Sequence, residues 1–394
     1  MAETDYDLIS SYAGLLSLAV TSIVAGSYGS IPASKHKKEG VTGGTEDDDD
    51  DEDITDRLSS EDAWLFPVFG SITLFGMYLV VKYLGKEWIN WFLGWYFAIT
   101  GVASVWKSSI ALYRWTIGEE RWKKYDRVRF LTTKGGKELL SISFRTPSFV
   151  LLPLSAIPSV LYSFPELVPS LLAAVHALAP TVFPDLSEQF SSTKDAKRSA
   201  LLTDILALSF SHNALSLLKI DSFKTGTILL SGLFLYDIWW VFGTEVMVKV
   251  ATNLDVPIKL LWPKSLVFST ERGFTMLGLG DIVIPGTFIA LALRYDHHRA
   301  SLSQAQSGGG YPKPYFNAAL LAYVLGLGTT MTVMHVFRAA QPALLYLSPA
   351  CILSFFITAF RTCQLKEAWA WHDEAPKPEK EGDLTKEQVE KKDQ

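Results

Sequence analysis

The chain has 394 residues, of which 48% are hydrophobic and 13% aromatic, with a formal net charge of −5. With a positive mean hydropathy and several uninterrupted apolar runs, it is too apolar for an ordinary soluble protein and reads as a polytopic membrane protein. The charge sits mainly in one acidic tract and a polar tail, and no basic face of the kind nucleic acid requires is present, which excludes a nucleic-acid-binding role.

Residues 8–31 form the first apolar run, preceded by Glu3, Asp5 and Asp7 and followed by Lys35-His36-Lys37-Lys38. A cleavable signal peptide carries its positive charge in front, so this run is expected to be a retained helix with its N-terminus outside the cytosol. Residues 39–62 hold the acidic run from Glu46 to Asp53 and are expected to form a solvated, disordered loop. Two further spans, 63–84 and 88–113, are joined by the turn Gly85-Lys86-Glu87. A basic segment, 114–145, follows with Arg121, Lys123, Lys124, Arg127, Arg129, Lys134 and Lys137; such a density of Lys and Arg beside spans marks the cytosolic side.

Residues 147–184 are apolar but broken by Pro153, Pro158, Pro165, Pro169 and Pro180, so they hold one span with an interfacial segment or two spans. The linker 185–199 leads to a span at 200–218 that contains Asp204, His212 and Asn213; the expected role of His212 and Asn213, as of His335 further on, is structural hydrogen bonding. The span 226–244 has Asp237 as its one charged residue. Residues 273–293 are long enough to cross a bilayer and carry Asp281, with Gly278 and Gly280 before it and Pro285 after it. Pro285 has no N–H, so the Asp281 carbonyl loses its helical partner, and the stretch reads as a membrane helix opened around an acid. A basic loop, 294–313, precedes spans at 315–336 and 341–360. The two cysteines, Cys351 and Cys363, lie in or beside the last span and give neither a disulfide framework nor a metal-ligand cluster.

Counting 147–184 as one span gives about nine transmembrane helices in an all-α polytopic membrane protein, with the N-terminus outside the cytosol. The segment 114–145, the loop 294–313 and the tail then all fall in the cytosol, where positive charge belongs. The expected organisation is an N-terminal region of four spans (1–199), a region of five spans holding both acids (200–363) and a disordered charged cytosolic tail (364–394).

Asp237 and Asp281 lie on consecutive antiparallel spans at offsets that bring them to a similar depth. Two close carboxylates in a low-dielectric site cannot both ionise, so they share a proton. One then acts as general base on a water while the other polarises a carbonyl, the arrangement of aspartic proteases. On spacing and burial alone, a counter-ion, a proton-relay group or a helix-packing hydrogen bond explains a membrane carboxylate as well, and a proton-coupled transporter stands as the rival function.

The residues around the acids narrow this. Tyr236-Asp237 in one span, Gly278-Leu279-Gly280-Asp281 in the next, and Gln341-Pro342-Ala343-Leu344 opening the last resemble the three signatures of the GxGD intramembrane aspartyl proteases, the family of presenilins and signal peptide peptidases. The wider contexts LSGLFLYDIWWVFGTEVMV, MLGLGDIVIPGTFIALALRYD and MHVFRAAQPALLYLSPAC look like the signal peptide peptidase branch. The likeness is strong from about Ala200 to Cys363; before that only the hydropathy pattern corresponds.

The resemblance implies a presenilin-like fold, Asp237 and Asp281 as the catalytic pair, and no metal or other cofactor. Tyr236 would support Asp237, although an aromatic in an apolar helix equally suits packing. Gly278 and Gly280, flanking Leu279, would let the backbone approach an unwound substrate. Pro342, Ala343 and Leu344, following Gln341, would shape the site beside the aspartates. The charge-derived orientation matches signal peptide peptidases, whose substrates are membrane segments with a cytosolic N-terminus, such as leftover signal peptides; presenilins are understood to run the other way. Lys391 and Lys392 resemble a dilysine retrieval signal of the endoplasmic reticulum. Expected partners are transmembrane peptide substrates and the lipid bilayer, with a homo-oligomer or endoplasmic reticulum quality-control partners left open. A non-catalytic binder of membrane segments remains the third reading.

Overall fold

The computed structural model describes residues 2–31, 57–83, 85–134, 137–164, 200–247, 250, 256–264, 273–302, 311–337 and 341–373. The acidic run, residues 165–199 and Lys391-Lys392 lie outside these; of the expected disordered loop 39–62, residues 57–62 are described and are ordered as a two-residue strand and the start of a helix.

The chain opens with α1 (Ala2–Gly29), then a two-residue strand β1 (Arg57–Leu58), α2 (Ser60–Tyr83), α3 (Lys86–Ile117) and a single turn α4 (Glu119–Trp122). A hairpin of β2 (Arg127–Lys134) and β3 (Lys137–Arg145) leads to α5 (Thr146–Ser163). The second half contains α6 (Ala200–Leu217), β4 (Lys219–Ile220), α7 (Phe223–Phe242), the hairpin β5 (Lys259–Pro263) and β6 (Phe274–Gly278), α8 (Gly280–Leu302), α9 (Pro314–Phe337), α10 (Leu344–Arg361) and a short α11 (Leu365–Ala370). Seven of these helices are long and apolar enough to cross a membrane: α1, α2, α5, α6, α7, α9 and α10. α3 and α8 are as long, but α3 is diluted by tryptophans and α8 carries Arg294, Asp296 and Arg299 in its second half. The protein is an all-α polytopic membrane protein in its spans, with three short strand pairings between them.

Local chemistry sets the helix ends. Ser59 donates its N–H and hydroxyl to Asp62 while Asp62 N–H points back at Ser59 Oγ, a reciprocal cap that starts α2. Ser222 caps α7 by accepting from Thr225 N–H at 3.3 Å. The two starts are tied together by the Ser60 and Thr225 hydroxyls at 2.8 Å and by the parallel pairing of β1 with β4.

The basic segment after α3 contains the β2–β3 hairpin, for which the sequence gives no expectation. Three further expectations need correction. Residues 273–293 are not one helix: Phe274–Gly278 is a strand, and the helix begins at Gly280, so Asp281 sits in a first turn rather than within an opened membrane helix. Residues 294–302 are the continuation of α8 rather than a loop. The tail is ordered through Asp373: α11 turns back, and Trp371 lies against Tyr295 and His298.

The core of the second half centres on Phe223, which stacks on Phe355 with centroids 4.2 Å apart and meets Phe288 and Tyr295 edge-on, joining α7, α8 and α10. At the same end Arg294, 3% exposed, is fully engaged: its guanidinium donates to Asp373 Oδ2 at 2.8 Å, Ser30 Oγ and the Ile220 carbonyl. The ends of α1, β4 and α8 are thereby clasped by the segment after α11, where Asp373 N–H also donates to the Asp221 carbonyl. In the first half, Asn213 of α6 donates to the Ser104 carbonyl and hydroxyl of α3, both at 2.8 Å, which is a structural role. His212 is half-buried beside Gly29 of α1, and His335 is exposed in the last turn of α9.

Candidate active site

α7 carries Asp237 14 residues beyond Phe223, and α8 places Asp281 13 residues before Arg294. With a helical rise of about 1.5 Å per residue, each acid lies roughly 20 Å from the clasped end of its helix. At that depth Asp281 is within electrostatic reach of Asp237. Asp237 is 5% exposed, and Asp281 is half-buried. Among the described residues neither acid enters an ion pair, so no Lys or Arg serves either one as counter-ion. Among the same residues no group of three or more His, Cys, Asp or Glu side chains is arranged to hold a metal ion.

The Gln341-Pro342-Ala343-Leu344 segment reaches the acids through its backbone. α10 begins at Leu344, and Ala343, at the cap position, has no side chain to satisfy the free N–H groups of the first turn. The Leu344 N–H donates instead to Asp237 Oδ2 at 3.1 Å. Pro342, Ala343 and Leu344 are all buried, and Gln341 is half-buried.

On the other side, the β5–β6 hairpin delivers Asp281. The Leu279 N–H donates to the Ile258 carbonyl as the last rung of the hairpin, while the Leu279 carbonyl accepts from Ile282 and Val283 as the first bonds of α8. The chain thus switches from strand to helix over Leu279-Gly280. Gly278 is exposed, and a Cβ built there would stand 3.2 Å from Asp281 Oδ2; glycine keeps the space beside that carboxylate open. Gly280 is likewise exposed.

The rungs fix which backbone groups face outward. Lys264 bonds to Gly273 and Leu279 to Ile258, and the register pairs Leu260 with Leu277 and Leu261 with Met276. Hydrogen-bonded pairs alternate with non-bonded ones in an antiparallel ladder, so Phe274, Met276 and Gly278 turn their N–H and C=O away from β5. That outer edge of β6 has no strand partner among the described residues, and Met276 on it is 61% exposed.

Tyr236 lies against α2 at Gly70 and tilts on Trp240, whose indole N–H donates to Ser71, so its ring braces α7 on α2. Sequence reasoning passed over Tyr323 of α9. It is fully buried, its hydroxyl has no hydrogen-bond partner among the described residues, and it is in electrostatic reach of Asp281. A buried tyrosine hydroxyl normally finds a partner, but only the fold shows that this one is unpaired.

The family model for signal peptide peptidase matches residues 50–375. The chain is 34% identical to the signal peptide peptidases of Mus musculus and Homo sapiens over 375 residues, covering 93% of this chain and 84% of each relative. It is also 35% identical to a probable intramembrane protease of Schizosaccharomyces pombe over 327 residues, 82% of this chain and 87% of that protein. Matches of this extent place the chain in the signal peptide peptidase family of intramembrane proteases.

Proposed function

We propose that the chain is an aspartic endopeptidase in which Asp237 and Asp281 act as one unit on a peptide bond within the membrane. The observation that carries this is two carboxylates on neighbouring helices, partly or fully buried and within electrostatic reach of each other, with no cationic partner among the described residues. Such a pair retains one proton and one negative charge. The first turns of α8 and α10 both end at the pair, and each helix N-terminus is equivalent to roughly half a positive charge, so together they offset about the one charge the pair holds.

In the reaction, the ionised carboxylate takes a proton from water as its oxygen attacks the scissile carbonyl carbon. The protonated carboxyl gives its proton to the carbonyl oxygen. Collapse of the resulting diol breaks the C–N bond, and the amine leaves with a proton returned from the pair. Tyr323, with its free hydroxyl, is positioned to hydrogen-bond the Asp281 side of the pair. The substrate bond must first leave its helix, because helical N–H and C=O groups are engaged with each other. The outer edge of β6 offers Met276 and Gly278 backbone groups to an extended segment, by strand addition, next to Asp281.

The relatives named signal peptide peptidase support signal-peptide remnants and similarly oriented membrane segments as substrates. The clasped end of the bundle gathers Arg57, Lys219, Lys224, Arg294, Arg299, Lys313 and Arg361, and this charge asymmetry supports reading it as the cytosolic end, with the N-terminus in the lumen.

The test is cleavage of a signal-peptide-like helix by the purified chain in detergent, against Asp237→Ala and Asp281→Ala. Wild type should cut, and each substitution should abolish cutting to below about a thousandth of the wild-type rate, since either removal breaks the unit. Cutting that survives the loss of either acid would sink this reading. Proton-driven flux in vesicles from an otherwise inert wild type would favour a transporter.

A further inference from the structure

Asp204, near the start of the apolar helix α6, is a carboxylate that the reaction above does not use. An ionisable side chain in a membrane helix is expensive to hold, and one that persists there has a specific partner. Here the partner is backbone: Asp204 Oδ1 accepts the Leu261 N–H at 2.7 Å, joining α6 to β5. In the ladder, Leu261 faces Met276 as a non-bonded pair, so its N–H points away from β6, toward α6. Two positions further, Pro263 occupies the next outward-facing site and has no N–H to satisfy. The ring of Trp262, between them, packs on Gly14 of α1, where no Cβ would fit. The outer edge of β5 is therefore capped by Asp204 and Pro263 and is anchored to two helices, while the outer edge of β6, beside Asp281, has no strand partner among the described residues.

We infer that Asp204 is a positioning residue: by capping Leu261 it fixes the height and tilt of the hairpin, and so sets which substrate bond the β6 edge presents to the two aspartates. This rests on the reading of β6 as the strand that receives substrate. Asp204 touches no reacting atom. Its loss lets the hairpin shift along α6, which displaces the bound segment relative to the acids, and a displacement of about 1 Å costs up to a hundredfold in rate.

The experiment compares the full chain with Asp204→Ala, Asp204→Asn and Leu261→Pro on one signal-peptide-like substrate, reading kcat, KM and the cleaved bonds by mass spectrometry. Asp204→Ala should lower kcat by roughly tenfold or more, with KM changed less, and spread cleavage over neighbouring bonds. Asp204→Asn should rescue both rate and bond choice, because its amide oxygen still accepts the Leu261 N–H. Leu261→Pro removes the donor at a site whose N–H faces away from β6; it should reproduce Asp204→Ala, and the double variant should add nothing. A residue that merely holds the fold together would slow cutting without moving the cleaved bond. The inference is overturned if Asp204→Ala cuts the wild-type bond at the wild-type rate, if Asp204→Asn is as impaired as Asp204→Ala, or if Leu261→Pro is harmless. Should Asp204→Ala fail to fold, Asp204→Asn and Leu261→Pro decide the matter by the same criteria. If wild type cuts and depends on both aspartates while these variants behave normally, the catalytic reading stands and this one alone fails. An inert wild type removes both.

Discussion

α2 and α8 are nearly the same length, 24 and 23 residues, yet they live in different solvents. α2 buries only Ala63 and turns Trp64, Phe66, Phe69, Ile72 and Phe75 outward. α8 is buried without a break from Pro285 to Asp296, wrapped by α1, α6, α7, α9 and α10. α2 has no charged residue between Asp62 and Lys82, whereas α8 carries Asp281, Arg294 and Asp296. A helix facing lipid must be apolar because nothing there satisfies a polar group; a helix enclosed by protein holds charges wherever neighbours supply partners. Hydropathy thus reports what surrounds a span as much as whether it spans, and chemistry is concentrated in the helix that looks least like a membrane helix.

The contrast is sharpest at Arg294. Asp373→Ala leaves a buried guanidinium without its counter-charge and should cost about 3–5 kcal/mol of stability, read as a lowered unfolding midpoint in detergent. Adding Arg294→Met to that variant should return much of the loss, since the unpaired charge is then gone. Equal stability of Asp373→Ala and wild type would mean that enclosure does not constrain α8 in this way.

Packing should give an intermediate effect. Gly286 faces Leu215 of α6 and Ile23 of α1, and a Cβ there would come within 2.6 Å of Leu215 Cδ2. Leu215 is itself fully buried and pressed against Gly26, so it has nowhere to move. Gly286→Val should therefore destabilise by about 1–3 kcal/mol by forcing α8 away from α1 and α6. The smallest effect belongs to α2: Ile72→Ala, on its outward face, should change stability by no more than about 0.5 kcal/mol. A large loss there would show that the outer face of α2 packs on something other than lipid.

The same contrast explains what could be read from the sequence. The bounds of α2, α7 and α9 follow their apolar runs to within a few residues because those runs end where water begins. At residues 273–293 an apolar strand and an apolar helix follow each other without a polar break, and hydropathy alone cannot separate them. The only local mark is Gly278-Leu279-Gly280, where the ladder hands over to the helix. Residues 294–302 read as a loop because Arg294 and Asp296 are charged; their partners, Asp373 and the Phe316 N–H, lie far along the chain. The bond from Leu344 N–H to Asp237 spans 107 positions and uses backbone, which no side-chain pattern encodes. The likeness of the three motifs to a known family marked those residues, but not how they touch.

The clasp at Arg294 also bears on the order in which the molecule is made. Chains emerge from the ribosome N-terminus first. Arg294 therefore enters the membrane 79 residues before Asp373 has been synthesised. Until that last segment folds back, the guanidinium has Ser30 and the Ile220 carbonyl but no counter-charge, and the ends of α1, β4 and α8 are held by incomplete bonding. Both aspartates are translated well before closure, so the tail works as a completion signal: a chain cut short before Asp373 would carry every residue of its acid pair and still lack the tie that locks the helix bearing Asp281.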